Sequence, residues 1–90
     1  KDYKEALKWF KLSADQNNSH AQNQIGYMYL DGLGVDKDYN EALKWFKLSV
    51  DQNNCRAQYN LGYMYIHGLG VDKDYKEALK WFKLSADQNN

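Results

Sequence analysis

The sequence predicts an all-α protein: a right-handed α/α solenoid, or superhelix, of about 2.5 helix-pair repeats of 36 residues, five antiparallel helices in all. Three observations carry this expectation. Residues 1–36 align on 37–72 without a gap and differ at nine positions, and 73–90 repeat 1–18 unchanged. Within each unit, apolar residues recur at helical spacing in two separate segments. Proline, a common helix breaker, is absent from all 90 residues. The units read as 1–36, 37–72 and a partial 73–90 within one array spanning 1–90, with helices at about 3–15, 19–31, 39–51, 55–67 and 75–87.

The first, third and fifth helices share one opening. Asp2, Asp38 and Asp74 each precede Tyr-x-Glu, which reads as a capping box, the aspartate accepting the third amide while the glutamate reaches back. In 39–51, Tyr39, Ala42, Leu43, Phe46, Ser49 and Val50 form a wide apolar arc that Trp45 extends, suited to a helix with neighbours on two sides. Asn40, Lys44 and Lys47 take the opposite side, and acid before lysine suits the helix dipole. Asn53 and Asn54 end the segment.

The second and fourth helices are exemplified by 55–67. Asn54 is the expected N-cap, Ala57, Leu61, Met64 and Tyr65 share one face, and Gly68 stands where a left-handed residue closes a helix. Gly62 sits inside, at a cost of about 1 kcal/mol relative to alanine; its expected use is to admit a neighbouring helix. The connector from Gly68 to Lys73 is short enough to demand an antiparallel pair.

Composition excludes several functions. Twelve basic and twelve acidic residues give zero formal net charge, which argues against nucleic acid. One cysteine forms no internal disulfide, and no apolar run approaches the roughly 20 residues that span a bilayer. The lone thiol, with no leader at the start, points to the cytoplasm. An opening Lys1 reads as an excerpt of a longer array.

The run Ala57-x-Tyr59-Asn60-Leu61-Gly62-Tyr63-Met64-Tyr65, followed by Gly68, Gly70, Val71, Asp74, Tyr75, Ala78, Trp81 and Phe82, resembles the Sel-one-like repeat, a relative of the tetratricopeptide repeat. Ala21, Ile25, Gly26, Tyr29, Gly32, Gly34, Val35, Asp38, Tyr39, Ala42 and Trp45 match in the first copy. The resemblance covers essentially the whole chain. Leu12, Leu48 and Leu84 stand where that family more often has a charged residue, and Ser13, Ser49 and Ser85 replace a usual alanine. It implies a non-catalytic scaffold or adaptor that binds a protein or peptide along a concave groove. The alternatives are a structural spacer and a regulatory segment of a larger signalling or protein-quality-control protein, kinase- or ubiquitin-ligase-associated.

Comparison of the two copies points to one surface. Seven of the nine differences fall in 55–67 and its counterpart: Ser19/Cys55, His20/Arg56, Asn23/Tyr59, Gln24/Asn60, Ile25/Leu61, Leu30/Ile66 and Asp31/His67. On a helical wheel 56, 59, 63, 66 and 67 form a stripe opposite the Ala57–Leu61–Met64 face. The expected groove residues are His20, Asn23, Tyr27, Leu30, Asp31, Arg56, Tyr59, Tyr63, Ile66 and His67, with Tyr59 and Tyr63 as anchors and Arg56 and Asp31 as charge readers.

Other chemistry is weakly supported. Gly32-Leu33-Gly34 and Gly68-Leu69-Gly70 lack the third glycine and the preceding strand of a phosphate loop. His20 and His67 have no zinc-ligand spacing. Cys55 beside Arg56 has no histidine–acid partner for catalysis. Ser13, Ser49 and Ser85 read as small packing residues. No cofactor, metal, catalytic residue, nucleic acid or membrane contact is expected. The partners expected are a protein or peptide, neighbouring repeats of a longer array, and further copies through end-to-end self-association, because the terminal helices repeat the interior sequence with its apolar residues intact.

Overall fold

The computed structural model describes residues 2–88; Lys1, Asn89 and Asn90, at the ends of the expected 1–90 array, lie outside the described residues. Five helices follow one another: α1 Tyr3–Ala14, α2 Ser19–Asp31, α3 Tyr39–Val50, α4 Cys55–His67 and α5 Tyr75–Gln88. No strand occurs among the described residues. Every boundary lies within one residue of its expected place.

The caps are half as expected. The carboxylates of Asp2, Asp38 and Asp74 accept the amides of Glu5, Glu41 and Glu77, each at 3.1 Å. The glutamates do not reach back. The Asp38 N–H already donates to the Tyr29 carbonyl at 2.9 Å, and that of Asp74 to Tyr65 at 3.0 Å, which ties each loop to the preceding helix. Glu41 and Glu77 pair instead with Lys44 and Lys80 at 3.4 Å, exposed contacts that stabilise little. Asn18 and Asn54 cap α2 and α4 through the Ala21 and Ala57 amides, each at 3.0 Å. Gly68 takes φ +67°, and the Leu69 N–H donates to the Met64 carbonyl at 2.9 Å, closing α4 as expected.

Packing gives the row its shape. The most extensive interfaces join α2 to α3 and α4 to α5, while α1 on α2 and α3 on α4 are smaller. α2 also meets α4 directly, whereas the backbones of α1, α3 and α5 do not approach one another closely. The row therefore bends, with α2 and α4 on its inner side.

The core is built at the seams. Leu7, Ala14, Ala21, Ile25 and Met28 form one cluster, against which Phe10 and Trp45 pack. Leu30, Ala42, Phe46, Ala57 and Met64 form the next. Gly26 faces the Phe46 ring so closely that a Cβ there would lie 2.7 Å from it, and a Cβ at Gly62 would lie 2.9 Å from Phe82. Both inner helices thus use a glycine to seat the phenylalanine of the following outer helix.

Polar groups cross the same seams. The Ser49 hydroxyl donates to the Ser19 carbonyl and that of Ser85 to Cys55, each at 2.8 Å. These serines are therefore more than small packing residues. Gln52 donates to Gln22 at 3.1 Å and Gln88 to Gln58 at 2.7 Å. Gln22 and Gln58 are buried, so these bonds supply partners that burial would otherwise deny. The rungs recur every 36 residues. Leu12, Leu48 and Leu84 are exposed in all three outer helices, which makes them a surface ridge rather than packing.

Candidate functional site

The inner side of the row is formed by α2 and α4, each held by its asparagine cap, its glycine stop and the outer helix behind it. Its accessible side chains follow helical spacing. His20, Gln24, Tyr27 and Asp31 line α2, and Arg56, Asn60, Tyr63 and His67 occupy the same positions on α4; all are exposed or half-buried. Tyr27 and Tyr63 are 41% and 40% exposed, so the accessibility of this position is the same in both copies.

Six of the eight belong to the groove set expected from sequence; Gln24 and Asn60 do not. Of the remaining four expected residues, Leu30 and Asn23 are buried, Ile66 is half-buried and Tyr59 is exposed. Leu30 is 6% exposed and joins the cluster of Phe46, Ala57 and Met64, so it is removed from the accessible wall. Ile66, its counterpart, is half-buried. Asn23 is 5% exposed because α4 covers it, while its counterpart Tyr59 is 56% exposed. Tyr59 lies against Phe82, with ring centroids 5.3 Å apart. The stripe is therefore rotated from the expected one, because the adjacent repeat, not the single helix, decides which side of the wheel is covered.

A cleft of about 430 Å³ opens on this surface. Asn23, Gln24 and Tyr27 of α2 form one side, Cys55, Arg56, Tyr59 and Asn60 of α4 the other, and Ser85 of α5 closes it. The Asn60 side-chain amide donates to the Asn23 side-chain carbonyl at 2.9 Å, linking the two inner helices across the seam. The groups it offers hydrogen-bond and stack. Among the described residues, no group of three His, Cys, Asp or Glu side chains is placed to hold a metal ion. No helix among them is long and apolar enough to cross a membrane.

The two copies differ in charge at the far end of the stripe. The Asp31 carboxylate, one turn along α2, raises the Tyr27 phenol above its ordinary value of 10.0, because it favours the protonated hydroxyl as a hydrogen-bond acceptor and as a negative charge. Where Asp31 stands in α2, α4 carries His67, whose ring meets Tyr63 edge-on with centroids 4.5 Å apart. A raised folded-state value means that the protonated phenol favours the fold. That contribution is complete below about pH 10 and is lost as pH rises through the folded-state value. Asp31→Asn is expected to lower the Tyr27 midpoint, read as phenolate absorbance in an alkaline titration of wild type and variant. Superimposable curves would exclude this coupling.

The Sel1 repeat family model matches residues 1–18, 19–54 and 55–90, which together account for the whole chain. Its units keep the period of 36 but pair α2 with α3 and α4 with α5, the two most extensive interfaces. Among solved structures, a Sel1 repeat protein from Oxalobacter formigenes is 51% identical with a TM-score of 0.89, over 98% of this chain and 36% of that one. A protective antigen of uropathogenic Escherichia coli strains that displays an SLR fold is 38% identical with a TM-score of 0.93, over 99% of this chain and 19% of that one. The cysteine rich protein B of Helicobacter pylori is 24% identical with a TM-score of 0.84, over 93% of this chain and 63% of that one, a likeness of fold alone. No relative among curated proteins matches the chain.

Proposed function

Since this chain belongs to the Sel1 repeat family, we propose that it is a non-catalytic protein–protein interaction scaffold that holds a peptide or protein surface along the concave side of α2 and α4. Repeats of this family typically serve as protein–protein interaction scaffolds. The observation that carries the reading here is the accessible stripe. Its central tyrosine is the same in both copies, while the three positions around it change from His20, Gln24 and Asp31 to Arg56, Asn60 and His67. Tyrosine anchors interfaces because it covers a large area with few rotatable bonds and keeps a polar tip.

Neighbouring repeats are the second class of partner. Trp9 is exposed on α1, whereas its counterpart Trp45 packs against the cluster of Leu7, Ile25 and Met28. A repeat placed before α1 would cover Trp9 in the same way.

Tyr27→Ala combined with Tyr63→Ala tests the groove. Both side chains are about 40% exposed and lie outside the core clusters, so the helical spectrum and melting should change little. Capture of its protein partner is expected to fall at least about tenfold, the effect of losing one or two interface anchors. A chain serving only as a spacer would keep its partner unchanged.

A further inference from the structure

We propose that the occupant of the cleft between α2 and α4 is an extended peptide segment carrying an acidic side chain, with Arg56 binding the carboxylate and the Asn23–Asn60 pair reading the adjacent main chain. The inference rests on the groove reading above and names the chemistry of its ligand. Among the described residues, Arg56 is the only charged side chain lining the cleft. It is exposed, and it takes part in no salt bridge among the described residues. A guanidinium without a partner, beside neutral amides and phenols, favours a carboxylate, which it can engage through two parallel N–H bonds.

The amides supply the second element. Asn60 donates one N–H to Asn23, a bond that occupies the Asn23 oxygen. The Asn23 amide nitrogen and the Asn60 oxygen have no other partner among the described residues, and neither is buried without a partner. The pair thus offers one donor and one acceptor together, the complement of a peptide group, which carries one of each. Asn23 itself is 95% buried by its 5% exposure, so its position is fixed by the fold rather than by solvent. Tyr27 on α2, Arg56 on α4 and Ser85 on α5 all line the cleft. In the proposed complex the peptide main chain lies on the amide pair and a side-chain carboxylate reaches Arg56. Its volume is within the ordinary range for a binding cleft.

The test is selection of random peptides displayed on phage, each fused through its C-terminus so that no terminal carboxylate is offered, against the wild-type chain and the Arg56→Gln variant. Arg56 is exposed, so the variant should keep its helical spectrum. Wild type is expected to enrich sequences with Asp or Glu at one fixed position. Synthetic copies of these, blocked at both ends, should bind Arg56→Gln at least about tenfold more weakly, the fold-change for loss of a charge-assisted hydrogen bond. Replacing their acidic residue by its amide should weaken wild-type binding to a similar extent and leave the variant unchanged. Recovered sequences without an acidic preference would overturn the assignment to Arg56 while leaving a groove that binds peptides. Binding restored only by a free C-terminal carboxylate would overturn it too. Recovery of no peptide by either protein would remove both the inference and the groove reading.

Discussion

Phe46→Ala is expected to destabilise the chain by about 3–5 kcal/mol, the range for deleting a buried phenyl ring. Phe10→Ala and Phe82→Ala, the same change in the same local sequence, should cost markedly less. Phe46 is 0% exposed, enclosed by Leu30, Ala42, Ala57 and Met64 on three helices, whereas Phe10 and Phe82 are half-buried. A domain of this length has on the order of 5–13 kcal/mol to lose, so the interior substitution removes a large part of it. Urea unfolding of the three variants gives the comparison, with an unchanged slope required for the midpoints to report stability. Equal losses at the three positions would show that burial between repeats is not what holds the row together.

Gly26→Ala should also destabilise, by about 1–3 kcal/mol, the usual cost of forcing extra atoms into a packed site. The direction runs against intrinsic preference, because alanine is about 1 kcal/mol better than glycine inside a helix. Contact decides the sign: the added methyl would lie 2.7 Å from two carbons of the Phe46 ring, and that ring is enclosed. Gly62→Ala meets Phe82 at 2.9 Å and the Ala78 backbone oxygen at 3.1 Å, but the ring, which makes the closer contact, is half-buried and has more room to move. Its cost should be smaller. Phe46→Leu added to Gly26→Ala should recover part of the loss, and a strictly additive pair in thermal or urea unfolding would exclude the clash.

Most of the fold was legible because its signals are local. Period, helical spacing, aspartate and asparagine caps and the closing glycine lie within a few residues of what they determine, and each boundary followed from them. What escaped depends on a neighbour. The return bond from Glu41 is absent because the Asp38 amide is taken by Tyr29, nine residues before the motif that predicts it. Ser49 and Gln22 gave no signal, since a small hydroxyl and an amide inside a helix look like packing and surface until another helix supplies the partner. The site shows the same divide. The sequence comparison expected Tyr27 and Tyr63 on an open face, and both are accessible. It placed Leu30 on the open wall because a wheel drawn for one helix contains no record of the repeat beside it.

The seam bonds have a consequence for how such a chain changes length. Ser49 with Ser19, Ser85 with Cys55, Gln52 with Gln22 and Gln88 with Gln58 all join residues 30 apart, and each bond has its twin 36 residues on. Duplication or loss of one whole period by recombination gives every surviving donor an equivalent acceptor. An insertion of any other length within a helix would shift donors away from their acceptors along the rest of that helix. The gene can therefore grow or shrink in whole units and keep each junction intact, while substitutions on the inner stripe alter what the protein holds.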